Sequence, residues 1–280
     1  MKNLRKVAVV TALIMLPMFV ATSFAQKKVM LSYKLTQGKS YKTLINIDQD
    51  IDFEANGQSM SLSQLMSIKT TVTIDKASAT GNTTKTTITA IRMEQSIFGM
   101  DIVYDSEEET SKSDPMSKQI AQTFKKLIGN SYSVVFDNKG NVKEYDLGDF
   151  GKNNDMANNL SSGSSYVVYP DYKVMVNDSW EADIKPMETS DMNYHTKYTV
   201  IKITRKVVTL GVSTTISANN LNGETAKVKG EISGKLLVNT KTGWTISSEM
   251  DMDMSMELEQ NGTKFPATIS GTISTKPQEK

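Results

Sequence analysis

His195 is the chain's one histidine, and cysteine is absent. These counts exclude disulfides, thiolate metal sites, cysteine nucleophiles and multi-histidine metal centres. As a general base His195 would need a serine and a carboxylate in reach, and its strand-like run Tyr194-His195-Thr196-Lys197-Tyr198 supplies neither. A structural or exposed role is expected for it. Gly38-Lys39-Ser40 resembles the end of a phosphate-binding loop, but Tyr33 stands where that loop needs a glycine for its amides to wrap phosphate. Gly230-Glu231-Ile232-Ser233-Gly234 places its serine one residue too late for a nucleophile elbow. No catalytic residue is assigned, and the chain reads as a non-enzyme.

Two acidic stripes invite a calcium reading: Asp48, Asp50 and Asp52, then Asp251, Asp253, Glu257 and Glu259. An EF-hand loop needs glycine at its sixth place and glutamate at its twelfth, where these stripes carry Phe53 and Ser59, or Met256 and Gly262. Carboxylates at a two-residue period lie in a row along one side of a strand rather than around a point. They read as a solvated face, with a weak surface calcium site as the sharper alternative; no metal or cofactor is expected. Trp180 and Trp244 read as anchors at the edge of a core rather than sugar platforms.

The methionine row is the most unusual feature. Met250, Met252, Met254 and Met256 alternate, with Trp244, Ile246 and Leu258 on the same side. Valine and isoleucine suit strands better, whereas methionine's flexible thioether fills gaps of many shapes. Four such side chains suggest a pliable groove for an apolar ligand, with Ile120 and Phe124 of a facing helix completing the lining. Ordinary core beneath that helix remains the plainer reading. Met93, Met100 and Met175 would extend the groove only if they shared its concave face.

The elements that must position these residues are mostly strands. From Tyr41 to Glu54 the odd positions are largely apolar and the even ones largely charged, which predicts a half-buried strand. The pattern returns over Val228–Val238 and Phe265–Ile273. Threonine-rich runs at 70–74 and 83–91 suit a pleated surface. Asn56-Gly57, Asn222-Gly223 and Asn261-Gly262 are hairpin-turn signals. One segment departs: Asp114 as N-cap, Pro115 first in the helix, then Met116, Ile120, Phe124, Leu127 and Ile128 at spacings of three and four. Gly129 follows as a stop, so an amphipathic helix is predicted over 115–128. Gly148 to Ser165, rich in asparagine, serine and glycine, reads as a connection.

A faint echo links the two sides of that loop. Thr71-Val72 and Thr86 to Ala90 reappear 128 residues on as Thr199-Val200 and Thr214 to Ala218. Ser40-Tyr41 and Ser179-Trp180 correspond at an offset of 139. The expected organisation is one β-rich domain over 26–280. A duplication would divide it into halves 28–147 and 166–275, joined by 148–165.

Residues 1–25 read as a separate object. Lys2, Arg5 and Lys6 precede an apolar run over Val7–Val20, and Ser23-Phe24-Ala25 supplies small residues at a cleavage site. This is the pattern of a secretory signal peptide, and too short an apolar stretch for a spanning helix of about 20 residues. No cysteine follows, so lipid attachment is excluded. The expected location is exported, periplasmic or extracellular, soluble and without a transmembrane anchor. With 32 basic and 31 acidic residues the chain lacks the basic surplus that nucleic acid would require.

Four motifs carry a resemblance: Gly38-Lys39-Ser40-Tyr41, Asp114-Pro115, the run Val134-Val135-Phe136-Asp137-Asn138-Lys139-Gly140-Asn141-Val142, and Pro170 to Trp180 ending Asn177-Asp178-Ser179-Trp180. In their order they resemble an uncharacterised secreted family of Bacteroidota, a domain of unknown function. That family more often has glycine where Asn177 stands, and it implies no catalytic residues. More loosely, the architecture resembles the periplasmic lipoprotein carriers, whose half-barrel sheet encloses a lipid cavity.

The fold expected is α+β, mostly β: a large curved antiparallel sheet, a half-barrel, with one amphipathic helix on its concave face. The function expected is an exported, non-enzymatic envelope protein binding an apolar ligand, such as an acyl chain or lipoprotein, between sheet and helix. The alternative is a structural or protein-interaction module of the envelope without a small-molecule ligand.

Overall fold

The computed structural model describes residues 27–55, 57–97, 99–108, 115–148, 166–184, 192–221, 224–260 and 263–279. Residues 1–26, read above as an export signal, together with Asp114, Asn56, the Asn222-Gly223 and Asn261-Gly262 pairs read as turns, and nearly all of 148–165, lie outside them. The chain runs β1 (Ser40–Ala55), β2 (Gln58–Ala77), β3 (Asn82–Ile97), β4 (Met100–Asp105), α1 (Pro115–Lys125), β5 (Ser131–Phe136) and β6 (Val142–Asp146). It continues through β7 (Ser179–Ile184), β8 (Asn193–Ile203), β9 (Val207–Leu221), β10 (Glu224–Asn239), β11 (Thr245–Gln260) and β12 (Thr263–Pro277).

Among the described residues twelve strands form one antiparallel sheet, with one helix beside it, and the sheet is not closed into a barrel. Its order is β6-β5-β3-β2-β1-β12-β11-β10-β9-β8-β7, with β4 pairing β3 beyond the end of β5. The first and last strands therefore meet in the middle, through the β1–β12 pairing, while β6 and β7 sit at the path's two ends.

Side chains alternate between two faces, and directly paired residues share one. On the convex face lie the acidic stripes, each with polar neighbours across the strands: Ser63 Oγ donates to Asp50 Oδ1 and Ser61 Oγ to Asp52 Oδ1, both at 2.5 Å. Lys264 Nζ donates to Glu257 Oε1 at 2.9 Å. The concave face carries the apolar residues. On β3 the alternation turns over at a bulge, because Lys69 pairs with Ala90 but Thr70 with Ile88, leaving Thr89 unpaired. Thr84, Thr86 and Ile88 are buried before it, and Ile91 and Met93 after it.

Helix α1 lies on the concave side at the β3–β4 edge. Tyr104 of β4 pairs with Met93 of β3, and the Phe124 ring sits 5.2 Å from the Tyr104 ring. The regular helix ends at Lys125, three residues earlier than its apolar spacing predicts. Its last turn tightens instead: Phe124 O accepts from both Leu127 N and Ile128 N, and Gly129 at φ 80° ends it. Leu127, though outside the helix, is completely buried.

The lead-in to β1 and the lead-in to β7 use the same backbone bonds. Gly38 and Asn177 both adopt left-handed conformations, at φ 78° and 73°. Gly38 N donates to Ile74 O and Ile74 N to Lys39 O; Asn177 N donates to Val200 O and Val200 N to Asp178 O. Ser40 with Thr73, and Ser179 with Thr199, add hydroxyl contacts of 3.0 and 2.9 Å. Each lead-in also crosses to a hairpin of the other half. Lys34 N donates to Thr242 O, and Tyr169 N to Lys139 O. At Gly243 (φ 68°) and Gly140 (φ 94°), a Cβ would collide with the carbonyls of Ser32 and Val167. Val29 and Val174 then exchange both backbone bonds at 2.8 Å, tying the two lead-ins together.

Candidate functional site: a cavity on the concave face

The crossing lead-ins close one end of the sheet's hollow with aromatic rings. Tyr33 packs edge-on against Phe136 at 5.0 Å, Phe136 stacks on Tyr166 at 4.1 Å, and Tyr41 stacks on Trp244 at 4.6 Å. Beside them Tyr169 Oη donates to Gly243 O at 2.7 Å and Trp180 Nε1 to Val168 O at 2.6 Å, whereas the buried Tyr41 Oη has no hydrogen-bond partner among the described residues. Burial pushes the hydroxyl pKa of Tyr33, Tyr166 and Tyr169 upward, and that of Tyr198 to about 12. These tyrosines are neutral at any physiological pH.

Above this floor is a cavity of about 500 Å³. Ile45 of β1, Thr86 of β3, Tyr194 of β8 and Met252 of β11 all line it, which requires the sheet to bend around a common space. The volume falls within the ~300–1,000 Å³ typical of small-molecule sites.

Met250, Met252 and Met254 line the cavity. Each pairs directly with a glycine: Met250 with Gly234, Met252 with Gly271 and Met254 with Gly230. A Cβ at Gly230 would press on the Met254 side chain; one at Gly234 or Gly271 would strike the facing strand's backbone. Small residues opposite long flexible ones let the strands coil closely and leave room above the thioethers. Met256 lies one step further along, against the small cluster of Ile216, Ala218, Ala226 and Val228. Phe124 is buried and Ile120 half-buried against the main core, and neither is among the cavity's lining residues. The helix buttresses the concave face beside the cavity.

Of the other methionines, Met93 faces inward, while Met100 is 53% exposed. Met175 sits in the β7 lead-in, its N–H bonded to Asp178 Oδ2. Trp180 is core, as expected of an anchor, and Trp244 lines the cavity. His195 is on the convex face, with Nδ1 2.7 Å from Asp183 Oδ1 and Nε2 3.6 Å from Glu181 Oε2. The hydrogen bond to Asp183 raises its pKa. No group of three metal-ligating side chains occurs among the described residues, and no helix there is long and apolar enough to cross a membrane.

Several lining residues carried no sequence signal of their own. Thr43, Thr70, Thr196 and Thr214 read only as strand formers, and Tyr166 opens the stretch after the 148–165 connection. The pairing of Gly230 and Gly234 with the methionine row needed the register of β10 against β11. Their four-residue spacing, which puts both on one face, was the available hint. A row of glutamines was also missed: Gln49 Nε2 donates to Gln64 Oε1 at 2.9 Å, with Gln95 next in line.

A known sequence family, described as "Family of unknown function (DUF6263)", matches residues 79–150 and 150–245. Those matches span more than half of the chain. The chain belongs to this family. The boundary at 150 falls in the connection between β6 and β7, and the family's span stops before Met250. No curated protein matches the chain.

Proposed function

We propose that the protein is an exported, non-enzymatic envelope component that binds an apolar ligand, of the acyl-chain kind, in the concave cavity of its sheet. The observation that carries this is the pairing of three cavity-lining methionines with three glycines. A core selected for rigidity would fill that space with branched side chains. The residue pattern of positions 1–25 supports export, and the absence of cysteine argues against a lipid anchor. The looser likeness to the periplasmic half-barrel carriers supports the same reading, with a lipoprotein's acyl chain as one form of ligand. A buried methylene contributes about 0.8 kcal/mol, so a chain of ten carbons supplies about 8 kcal/mol before association costs are subtracted.

Native mass spectrometry of the protein purified from its producing cells, without organic solvent, tests the proposal. Bound mass in the lipid range, released by mild activation and reduced by Met252→Trp, is the expected result. Protein that is consistently ligand-free, and that takes up no added apolar compound, would refute it.

A further inference from the structure

We propose that the cavity selects uncharged amphiphiles, such as long-chain alcohols and esters, and rejects the carboxylate of the same chain length. This rests on the reading of the cavity as an apolar-ligand site and specifies the ligand's class. Among the described residues, the lining contains no aspartate, glutamate, lysine, arginine or histidine. It is nevertheless far from purely aliphatic. Thr43, Thr70, Thr86, Thr196 and Thr214 line it together with the phenols of Tyr194 and Tyr198.

Those hydroxyls suit a neutral polar group and not a charge. Thr196 and Thr214, both buried, share one hydrogen bond at 2.9 Å, and each hydroxyl can donate once and accept twice. One donor and further acceptor positions of that pair are therefore open to a third partner. Thr70 Oγ1 reaches the Thr43 carbonyl only at 3.5 Å, a long contact that a ligand oxygen can improve upon. An alcohol or ester can both fill the apolar space and engage these groups. A carboxylate entering the same space would lose its hydration and meet no cation, so it would enter as the protonated acid.

The test uses the purified wild-type protein carrying the neutral fluorophore N-phenyl-1-naphthylamine, displaced by 1-decanol or by decanoic acid between pH 5 and pH 8. Decanol is expected to compete equally well across the range. Decanoic acid is expected to compete at least 10-fold more weakly than decanol at pH 8, and to gain at least 10-fold on going to pH 5. Decanoic acid matching decanol at pH 8, or competing independently of pH, overturns the selectivity while leaving the apolar site intact. If the fluorophore does not bind and neither compound is retained, the apolar-ligand reading itself fails, and this inference with it.

Discussion

Met252 occupies the centre of the cavity row, facing Gly271 on one side and Ile232 on the other. Enlarging it tests occupancy without removing core contacts. Met252→Trp should lower affinity for apolar ligands about 10-fold or more, with little change in melting temperature, as measured by fluorophore titration and thermal unfolding. His195 gives a separate residue-scale check on the convex face. Its folded pKa is raised by the Asp183 hydrogen bond above the ordinary histidine value of about 6.5. A raised folded pKa means stabilisation that is complete below the unfolded pKa and is lost as pH rises through the folded one. NMR titration should find the His195 pKa above that of an unstructured peptide, and Asp183→Asn should bring it down. A titration midpoint unaffected by Asp183→Asn would show that the contact is not made in solution.

The elements were legible in proportion to how local their signals are. Strands β1, β10 and β12 follow from apolar alternation, because each keeps one wet face and one dry face along its length. Helix α1 follows from its three- and four-residue spacing, but its end does not, since Leu127 is buried from a tightened turn that the same spacing serves equally well. The Thr89 bulge and the methionine–glycine pairs depend on which strands meet in which register, and no single strand's sequence carries that. Two substitutions measure these element-scale contacts. Phe124→Ala should cost about 3–5 kcal/mol, or very roughly 6–20 °C in melting temperature, because the ring is buried against Tyr104. Gly271→Ala should cost about 1–3 kcal/mol by forcing β12 away from the β1 backbone. Calorimetry showing neither loss would remove the helix and the coiled sheet from the account.

At the scale of the whole molecule, the first and last strands pair in the middle of the sheet, and two crossing lead-ins close its hollow. The threonine echo links the right strands, β2 with β8 and β3 with β9, but in the wrong register: Thr73 is the counterpart of Thr199 and Ile74 of Val200, so the echoed residues stand two positions out of step. The lead-ins correspond at the offset of 139 that links Ser40-Tyr41 with Ser179-Trp180, and the same offset joins Gly38 to Asn177, different residues that share a conformation. If the two crossings act alike, Gly140→Ala and Gly243→Ala should lower the melting temperature by comparable amounts, since each combines positive φ with a carbonyl collision. A large loss at one glycine and none at the other would break the equivalence.

The proposed function requires a ligand among the cavity methionines. Methyl-labelled methionine NMR of the purified protein, with resonances assigned by single substitution and 1-decanol added stepwise, addresses that directly. The methyls of Met250, Met252 and Met254 should shift together and saturably, while those of Met30 and Met100, which are solvent-exposed, stay in place. Shifts confined to Met30 and Met100, or no shift at any methionine, would contradict it.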